Sequence, residues 1–482
     1  GKGVDMKVVL AQPNYAWFSK RSWESPPYTL AVLNACLKDR HDVKLFDPNY
    51  TDMSEDEVFE FFNKERPDIA GVTTGSTEYI KPARLLNEII KKASPETIII
   101  QGGIIPTVVL DIAMKDGNVD YWVIGEGELR LPRLLEELAK PAPDLASIDG
   151  LAYWEGGTAR ISPSKGFIED LDSLPFADYG NIDFIEYGNR IIKYAAGLLP
   201  RQYPYAVTIT SRGCPFRCIF CAASLVSGKK VRFRSAENIL KEIDLLYKAG
   251  VREVMFLDDH FLAKRKRAVS IMEGLIERKY DMTWKSVNLM VNFLDREILE
   301  LMRKSGCYQL ILSLESGNQD VLKNIIKKPI KLAKVADTLK IARSLGFETI
   351  ANFVFGFPDE TRQQIDDTLN FARNIDVDLV NFHIATPLPE TELMKICLEK
   401  RCLPEDFDIG EDHTAGYAKG VILTDEFTPS ELEVLRASEW DKINFSTPER
   451  KKAIARIEAI SLEELEEWRK KTRRRCGVDV VS

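Results

Sequence analysis

A chain of 482 residues, 45 per cent hydrophobic and 29 per cent charged, is too long for one ordinary core and too apolar to be disordered, so two or three packed domains are expected. The formal charge of -8, with acidic and basic residues mixed along the chain, argues against a nucleic-acid surface, which needs clustered positive charge. Apolar runs such as MKVVLA and ETIIIQ are far shorter than the roughly 20 residues that cross a bilayer, and the first residues lack a secretory pattern. A cytoplasmic protein acting on a small molecule, with no transmembrane segment, is therefore expected.

From residue 6 to about 140, short β-branched runs (MKVVLA, DVKLFD, DIAGVTT, ETIIIQGG, DYWVIGEGE) alternate with helical patterns. Uniformly apolar strands separated by helices imply a doubly wound parallel sheet, whose ligands sit at the carboxyl ends of the strands. Those ends carry QPNY with Asn14, TTGST with Thr74 and Ser76, GGIIPT with Gly102 and Gly103, and GEGE with Gly125 and Glu126. Glycines and small hydroxyl residues suit a backbone that must approach a broad ligand closely. Residues 141–200 read as a linker with a hairpin turning at Gly156 and Gly157.

A second alternating series starts at AVTITS (206–211) and continues through EVMFLD, TWKSVN, YQLILS, TIANFVF and LVNFHIA. Six consecutive βα units over 201–395 predict a partial parallel barrel with its reactive residues on the loops after the strands. Residues 396–482 are helical and charged.

Eight cysteines over this length are too sparse for a disulfide scaffold, yet Cys214, Cys218 and Cys221 fall together in SRGCPFRCIFCA, directly after the first strand of the second series. Structural zinc and cubic iron–sulfur clusters both normally take four protein ligands. Three thiolates with no fourth nearby point to a cubic cluster with one open iron. A structural or electron-transfer cluster would want the missing cysteine. Cys36, Cys307 and Cys476 read as small buried hydrophobes, and so by default do Cys397 and Cys402.

The CxxxCxΦC pattern, with Phe220 at its aromatic position, resembles the signature of the radical S-adenosylmethionine superfamily. The resemblance implies a 4Fe–4S cluster whose open iron is chelated by S-adenosylmethionine, and reductive cleavage of that cosubstrate to a 5'-deoxyadenosyl radical. FLDDHF resembles the place where relatives bind the cosubstrate's amino group, making Asp258 and Asp259 candidates; helix capping is the alternative. SLESG resembles the segment contacting ribose and carboxylate, through Ser313, Glu315 and Ser316, although Glu315 could instead pair with a lysine. NFVFGFPDET resembles the adenine-packing motif, with Gly356 and Pro358. His260 and His383 are weaker acid–base candidates, set against packed histidines. The basic stretches GKKVRFR and AKRKR read as a solvated loop and helix start rather than a phosphate site.

A doubly wound domain before such a barrel, with SPPYTLAVLNACL, QGGIIPT and VIGEGE, resembles the cobalamin-binding module of one branch of that superfamily. The Asp-x-His-x-x-Gly that supplies a lower cobalt ligand in many cobalamin domains is absent, the position reading AQPNYAW; His41 reads as a surface turn. The branch implies cobalamin without a lower histidine ligand, methylation of an unactivated carbon of a small-molecule or natural-product substrate, and an electron donor such as flavodoxin or ferredoxin. Ring contraction, cyclisation, dehydration or another rearrangement, with or without cobalamin, remain the alternatives.

Overall fold

The computed structural model describes residues 5–19, 25–190, 197–409 and 418–475; Cys476 and the first four residues lie outside them. The chain forms two compact units, one spanning Gly1–Tyr187 with Leu225–Gly228 and Asp408–Thr414, the other comprising the remainder.

In the first unit, β1 (Lys7–Ala11), β2 (Asp42–Phe46), β3 (Ile69–Thr74), β4 (Ile98–Gly103) and β5 (Tyr121–Val123) are parallel. They lie in the order β2-β1-β3-β4-β5. Alternate residues of β1 feed opposite faces: Val8 and Leu10 join one buried cluster with Leu30, Leu134 and Leu135, whereas Val9 and Ala11 join another with Phe62, Leu86 and Ile90. Both faces are covered, which is why the strands read as unbroken apolar runs. The order reverses between β1 and β3, placing the switch crevice beside the loops that carry Asn14 and Ser76.

The hairpin expected within a linker belongs to this sheet. β6 (Leu151–Glu155) pairs antiparallel with β5, and β7 (Thr158–Ser162) pairs with β6, extending the sheet to seven strands. Buried Leu151 and Ala152 supply the apolar reason.

The second unit opens with β8 (Tyr205–Thr208). A small ladder of β9 (Ser211–Arg212) and β10 (Arg232–Phe233) follows. Then come β11 (Glu253–Phe256), β12 (Thr283–Ser286), β13 (Gln309–Glu315), β14 (Glu348–Phe355) and β15 (Leu379–Ile384). β8, β11 and β12 are parallel neighbours, as are β13, β14 and β15, and the bridges Trp284 to Cys307 and Leu289 to Leu312 link the two sets. The result is an open arc of six parallel strands in chain order. Its last edge is covered: the Asn444 side chain donates to Val380 O (2.8 Å) and accepts from Val380 N (2.9 Å), so the helix Pro429–Asn444 stands in for another strand.

The amino-terminal end of the arc is closed by charge. Lys285 Nζ donates to the carbonyls of Gly197 and Leu199 and to Gln309 Oε1, and Tyr308 donates to Glu253 Oε1 (2.8 Å). Among the described residues, no helix is long and apolar enough to cross a membrane.

Gly103 supports one test of this architecture. Its φ of 83° and ψ of -150° lie in a region open essentially to glycine, and an added Cβ would fall 2.5 Å from Thr73 Oγ1 and 2.8 Å from Thr74 O. Gly103→Ala should cost about 2–3 kcal/mol, read as a lower urea midpoint at unchanged slope.

Candidate active site

Three cysteines spaced over eight residues cannot fix their own loop; the loop is fixed at its base. Arg232 pairs with Arg212 and Phe233 with Ser211, so the segment 213–231 leaves and returns at one place. Beneath it lies Asp258, 1 % exposed, which accepts from Thr210 N (2.7 Å), Thr210 Oγ1 (2.5 Å) and Ser211 Oγ (2.6 Å). Arg267 adds a second tie, donating from Nη2 to Thr210 O (2.6 Å) and from Nε to Arg234 O (2.7 Å), while Arg234 Nη1 pairs with Glu242 Oε2 (2.6 Å).

These contacts revise two expectations. Asp258 spends both carboxylate oxygens on the loop's foundation and is not placed to meet a cosubstrate. Arg232, Arg234 and Arg267, from the two basic stretches, are buried rather than solvated.

Cys214 and Cys218 are half-buried and Cys221 is exposed. Loss of water around the sulfur atoms, which are crowded even at Cys221 where the residue as a whole is exposed, is the main cause raising all three thiol pKa values, that of Cys218 to about 12. The Cys218 thiol is raised further by Cys221 and Cys214. Among the described residues, no group of three or more His, Cys, Asp or Glu converges on a point that could hold one metal ion. Three thiols whose charges act on one another, in a loop pinned at its base, can each take one iron of a cluster. Protonated thiols must lose their protons when metal binds. Ile219, between Cys218 and Cys221, is clamped on both sides: its N–H donates to Ile326 O (3.1 Å) and its carbonyl accepts from Leu393 N (2.9 Å).

Around this loop the other carboxyl ends contribute unequally. Asp259 accepts from Gly213 N (3.3 Å), and burial holds its carboxyl above the usual range. Asn288, after β12, donates to Asp259 O (2.9 Å) and accepts from Ser313 Oγ (2.7 Å). Ser316 is fully buried and bonds the Thr368 hydroxyl (2.9 Å). Glu315, at a break in the β13 register with φ of 64°, is salt-bridged to Lys328 (2.6 Å). The lysine-paired alternative for Glu315 is thus the observed one.

Gly356 (φ 91°) is followed by Phe357, whose ring centroid lies 5.9 Å from that of Phe220, and Pro358 continues this turn. Buried Glu360 accepts from Gly356 N (2.7 Å) and Phe357 N (3.2 Å), setting the turn's backbone. His260 is packed between Phe216 and Phe293; burial, then the Lys328 charge, lowers its pKa to about 4, and its buried Nε2 has no partner. It is a neutral packed histidine at physiological pH. His383 lies within β15 opposite Val354. Cys307 is buried, and Cys397 and Cys402 close a helix: Arg401 is left-handed and Cys402 N donates to Cys397 O (3.1 Å). The two thiols supply the apolar contact such a terminus favours.

In the first unit, the carboxyl edge divides in the same way. Asn14 is spent on its loop, donating to Asp52 Oδ1 (2.9 Å) and Met53 O (3.1 Å) and accepting from Ala16 N (2.9 Å). Ser76 caps the following turn by accepting from Glu78 N. Gly125 N donates to Thr107 Oγ1 (2.8 Å), and Glu126 accepts from Ile168 N (2.6 Å). Thr74 Oγ1 is buried without a partner, and a Cβ on Gly75 or Gly102 would meet nothing within 4 Å. An orphaned hydroxyl beside unfilled space at the switch point fits a broad group lying on the strand ends. Tyr15 and Tyr79 stack there with centroids 4.0 Å apart. His41, half-buried, precedes β2 at the opposite edge.

Asn288, Lys328 and Glu360 were not singled out from sequence. Position after a barrel strand was available for Asn288 and Glu360. Nothing local marks Lys328.

Two family models match the chain: the radical SAM superfamily over residues 208–372 and a B12 binding domain over residues 19–135. An uncharacterized methyltransferase of Pyrococcus horikoshii is 32% identical, over 83% of this chain and 84% of its own length. The anaerobic magnesium-protoporphyrin IX monomethyl ester cyclase of Rubrivivax gelatinosus is 28% identical over 81% and 70%. The fold is shared with the cobalamin-dependent S-adenosylmethionine radical enzyme OxsB, solved with aqua-cobalamin and S-adenosylmethionine (TM-score 0.73, 16% identity, 98% of this chain and 72% of that one).

Glu360 gives the site a pH signature. Burial pushes its carboxyl from about 4.5 up to about 7, so between those values the folded state binds more protons than the unfolded one and stability falls as pH rises. Glu360→Gln, which can still accept from both backbone groups, should gain on the wild type by on the order of 3 kcal/mol between pH 5 and pH 8. Paired denaturation curves at the two pH values measure the difference.

Proposed function

The chain belongs to the radical S-adenosylmethionine superfamily, in its B12-binding branch, and from that membership we propose that it is a cobalamin-dependent methyltransferase acting on an unactivated carbon of a small molecule. The observation that carries the reading is the three-cysteine loop, pinned at the carboxyl end of the first strand of an open six-stranded arc. In this family a 4Fe–4S cluster and S-adenosylmethionine supply a carbon-centred radical, and cobalamin a methyl carrier; an acid or base side chain could not deprotonate such a carbon near neutral pH.

The protein's part is to hold, orient and exclude water. Cys214, Cys218 and Cys221 would hold the cluster. Asp259 would accept from the cosubstrate's amino group, with Ser313 and Asn288 on its hydroxyl-bearing side. Phe220 and the Gly356–Pro358 turn would pack the adenine. Thr74, Gly102 and Gly103 would cradle cobalamin, with no lower histidine from the described residues of that unit. Asn14, Ser76, Gly125 and Glu126 would shape the loops around it. The electron would come from a flavodoxin or ferredoxin.

A second reading, ring closure without methyl transfer, is supported by the likeness to the cyclase over most of the chain. Anaerobic reconstitution with iron, sulfide and cobalamin, followed by methyl-labelled S-adenosylmethionine, a low-potential reductant and candidate substrates, separates the two. We expect 5'-deoxyadenosine, its loss in Cys218→Ala, and label in the product. Product without label favours cyclisation or another rearrangement, and absence of 5'-deoxyadenosine from fully loaded protein turning over substrate would sink the radical reading.

A further inference from the structure

The sheet of the first unit ends at an open edge. β7 pairs with β6, no strand of the described residues lies beyond it, and Thr158, Ala159, Arg160 and Ile161 are exposed. Gly156 (φ 56°) and Gly157 (φ 78°) are both left-handed, the turn that closes a hairpin on a hydrogen-bonded pair, here Glu155 and Thr158. Bonded and non-bonded pairs alternate from there. Thr158, Arg160 and Ser162 therefore turn their backbone groups toward β6, while Ala159 and Ile161 turn theirs outward. These two N–H and two C=O groups have no partner among the described residues.

The side chains at this edge are as open as its backbone. Trp154 stands opposite Ala159, and Ala152 opposite Ile161, so the four share one face of the sheet. Trp154 and Ile161 are each 51% exposed. Natural edges are usually blunted by an unpaired charge, a proline or a bulge. β7 keeps a regular register, reaches its first proline only at Pro163, and has its single charge, Arg160, on the other face and bonded to Glu155 (2.8 Å).

An antiparallel second copy of β7, related by a two-fold axis at Arg160, fits this edge. Ala159 then stands opposite the partner's Ile161, and Ile161 opposite the partner's Ala159, which uses every outward group in four hydrogen bonds. Ala159 carries only a methyl group, so Trp154 reaches the partner's Ile161 across it, and the two-fold repeats the contact. Shifting the register by two residues loses this match. One shift sets Ala159 against the partner's Pro163, which has no N–H, and the other sets Ile161 against the partner's Gly157 in the turn. On the opposite face the charges balance, because each Arg160 comes to the axis with its own Glu155. One five-residue strand per chain is small beside the roughly 1,200–2,000 Å² that stable complexes bury, so the pairing is reversible.

We propose that β7 is a self-association surface through which two copies of this chain join their seven-stranded sheets edge to edge. The inference concerns the first unit's sheet and does not depend on the cofactor reading.

The test is sedimentation velocity of the full-length protein over about 1 to 200 μM, with a dissociation constant expected in the micromolar range. Ile161→Lys puts a charge into the apolar contact, and Ile161→Pro removes an outward N–H without touching a bond to β6. Each should weaken the dimer at least about tenfold. Leu245→Lys, at another exposed leucine, should stay within about threefold of the wild type.

Arg160→Cys tests the register. The introduced thiols face each other in a non-bonded pair at the axis, within reach of a disulfide. Oxidised glutathione, itself reduced to two thiols, should join them into a covalent dimer at least about tenfold faster than it joins Thr158→Cys or the wild type, read on non-reducing gels. A wild type that stays monomeric throughout, a dimer that neither Ile161 variant weakens while circular dichroism shows both folded, or equal cross-linking of Thr158→Cys and Arg160→Cys would overturn the proposal. If the Ile161 variants fail to fold, the cross-linking comparison decides by itself.

Discussion

Asp258 is the group on which the second unit's site depends. Three thiols are useful to a cluster only if their loop is already in place, and the loop stands on the donors gathered by one buried carboxylate. Thr210 N–H and the hydroxyls of Thr210 and Ser211 all give to it. Burial alone would push this carboxyl toward its neutral form, and the three donors with the nearby Arg267 charge oppose that. Removing the carboxylate would strand several buried donors at once, the costly side of hydrogen-bond energetics. Arg267 and Arg234 then carry the restraint outward to the carbonyls of Thr210 and Ile209. The loop's base is thus held by satisfied polar groups where an apolar core could not have fixed its direction.

Much of this was legible in the sequence, and the reason is locality. Strand periodicity, the alternation with helices and the spacing of Cys214, Cys218 and Cys221 are properties of short windows. What escaped depends on pairing at a distance. Asp258 and Asp259 are adjacent in the loop after β11, yet one accepts from the foundation and the other from the loop backbone. Sequence makes them equivalent; only the partner of each distinguishes them. Arg232, Arg234 and Arg267 read as solvated charge until their carbonyl and carboxylate acceptors are known. The hairpin of β6 and β7 reads as linker because its pairing partner, β5, lies in the preceding segment. Cys397 and Cys402, read by default as small buried hydrophobes, are buried as expected, but their place at a helix end shows only in the Cys402 N to Cys397 O bond.

The first unit answers the same need by different means. Where the second unit gathers three thiols, the carboxyl edge of the first presents space: glycines at 75 and 102 whose missing Cβ atoms leave room, and Thr74 with an unused hydroxyl. Most of the polar side chains around it are committed. Asn14 ties the loop after β1 to Asp52 and Met53, Glu126 holds Ile168, and Arg130 gathers Glu126 O, Asp149, Ser164 Oγ and Gly166 O. The described histidine of this unit, His41, stands at the wrong edge. The loop after β1, where a lower cobalt ligand would sit, instead brings Tyr15 against Tyr79. A group bound here would therefore be held by shape and backbone rather than by a histidine of the described residues. Such a surface distinguishes ligands by breadth, which would suit a large planar cofactor.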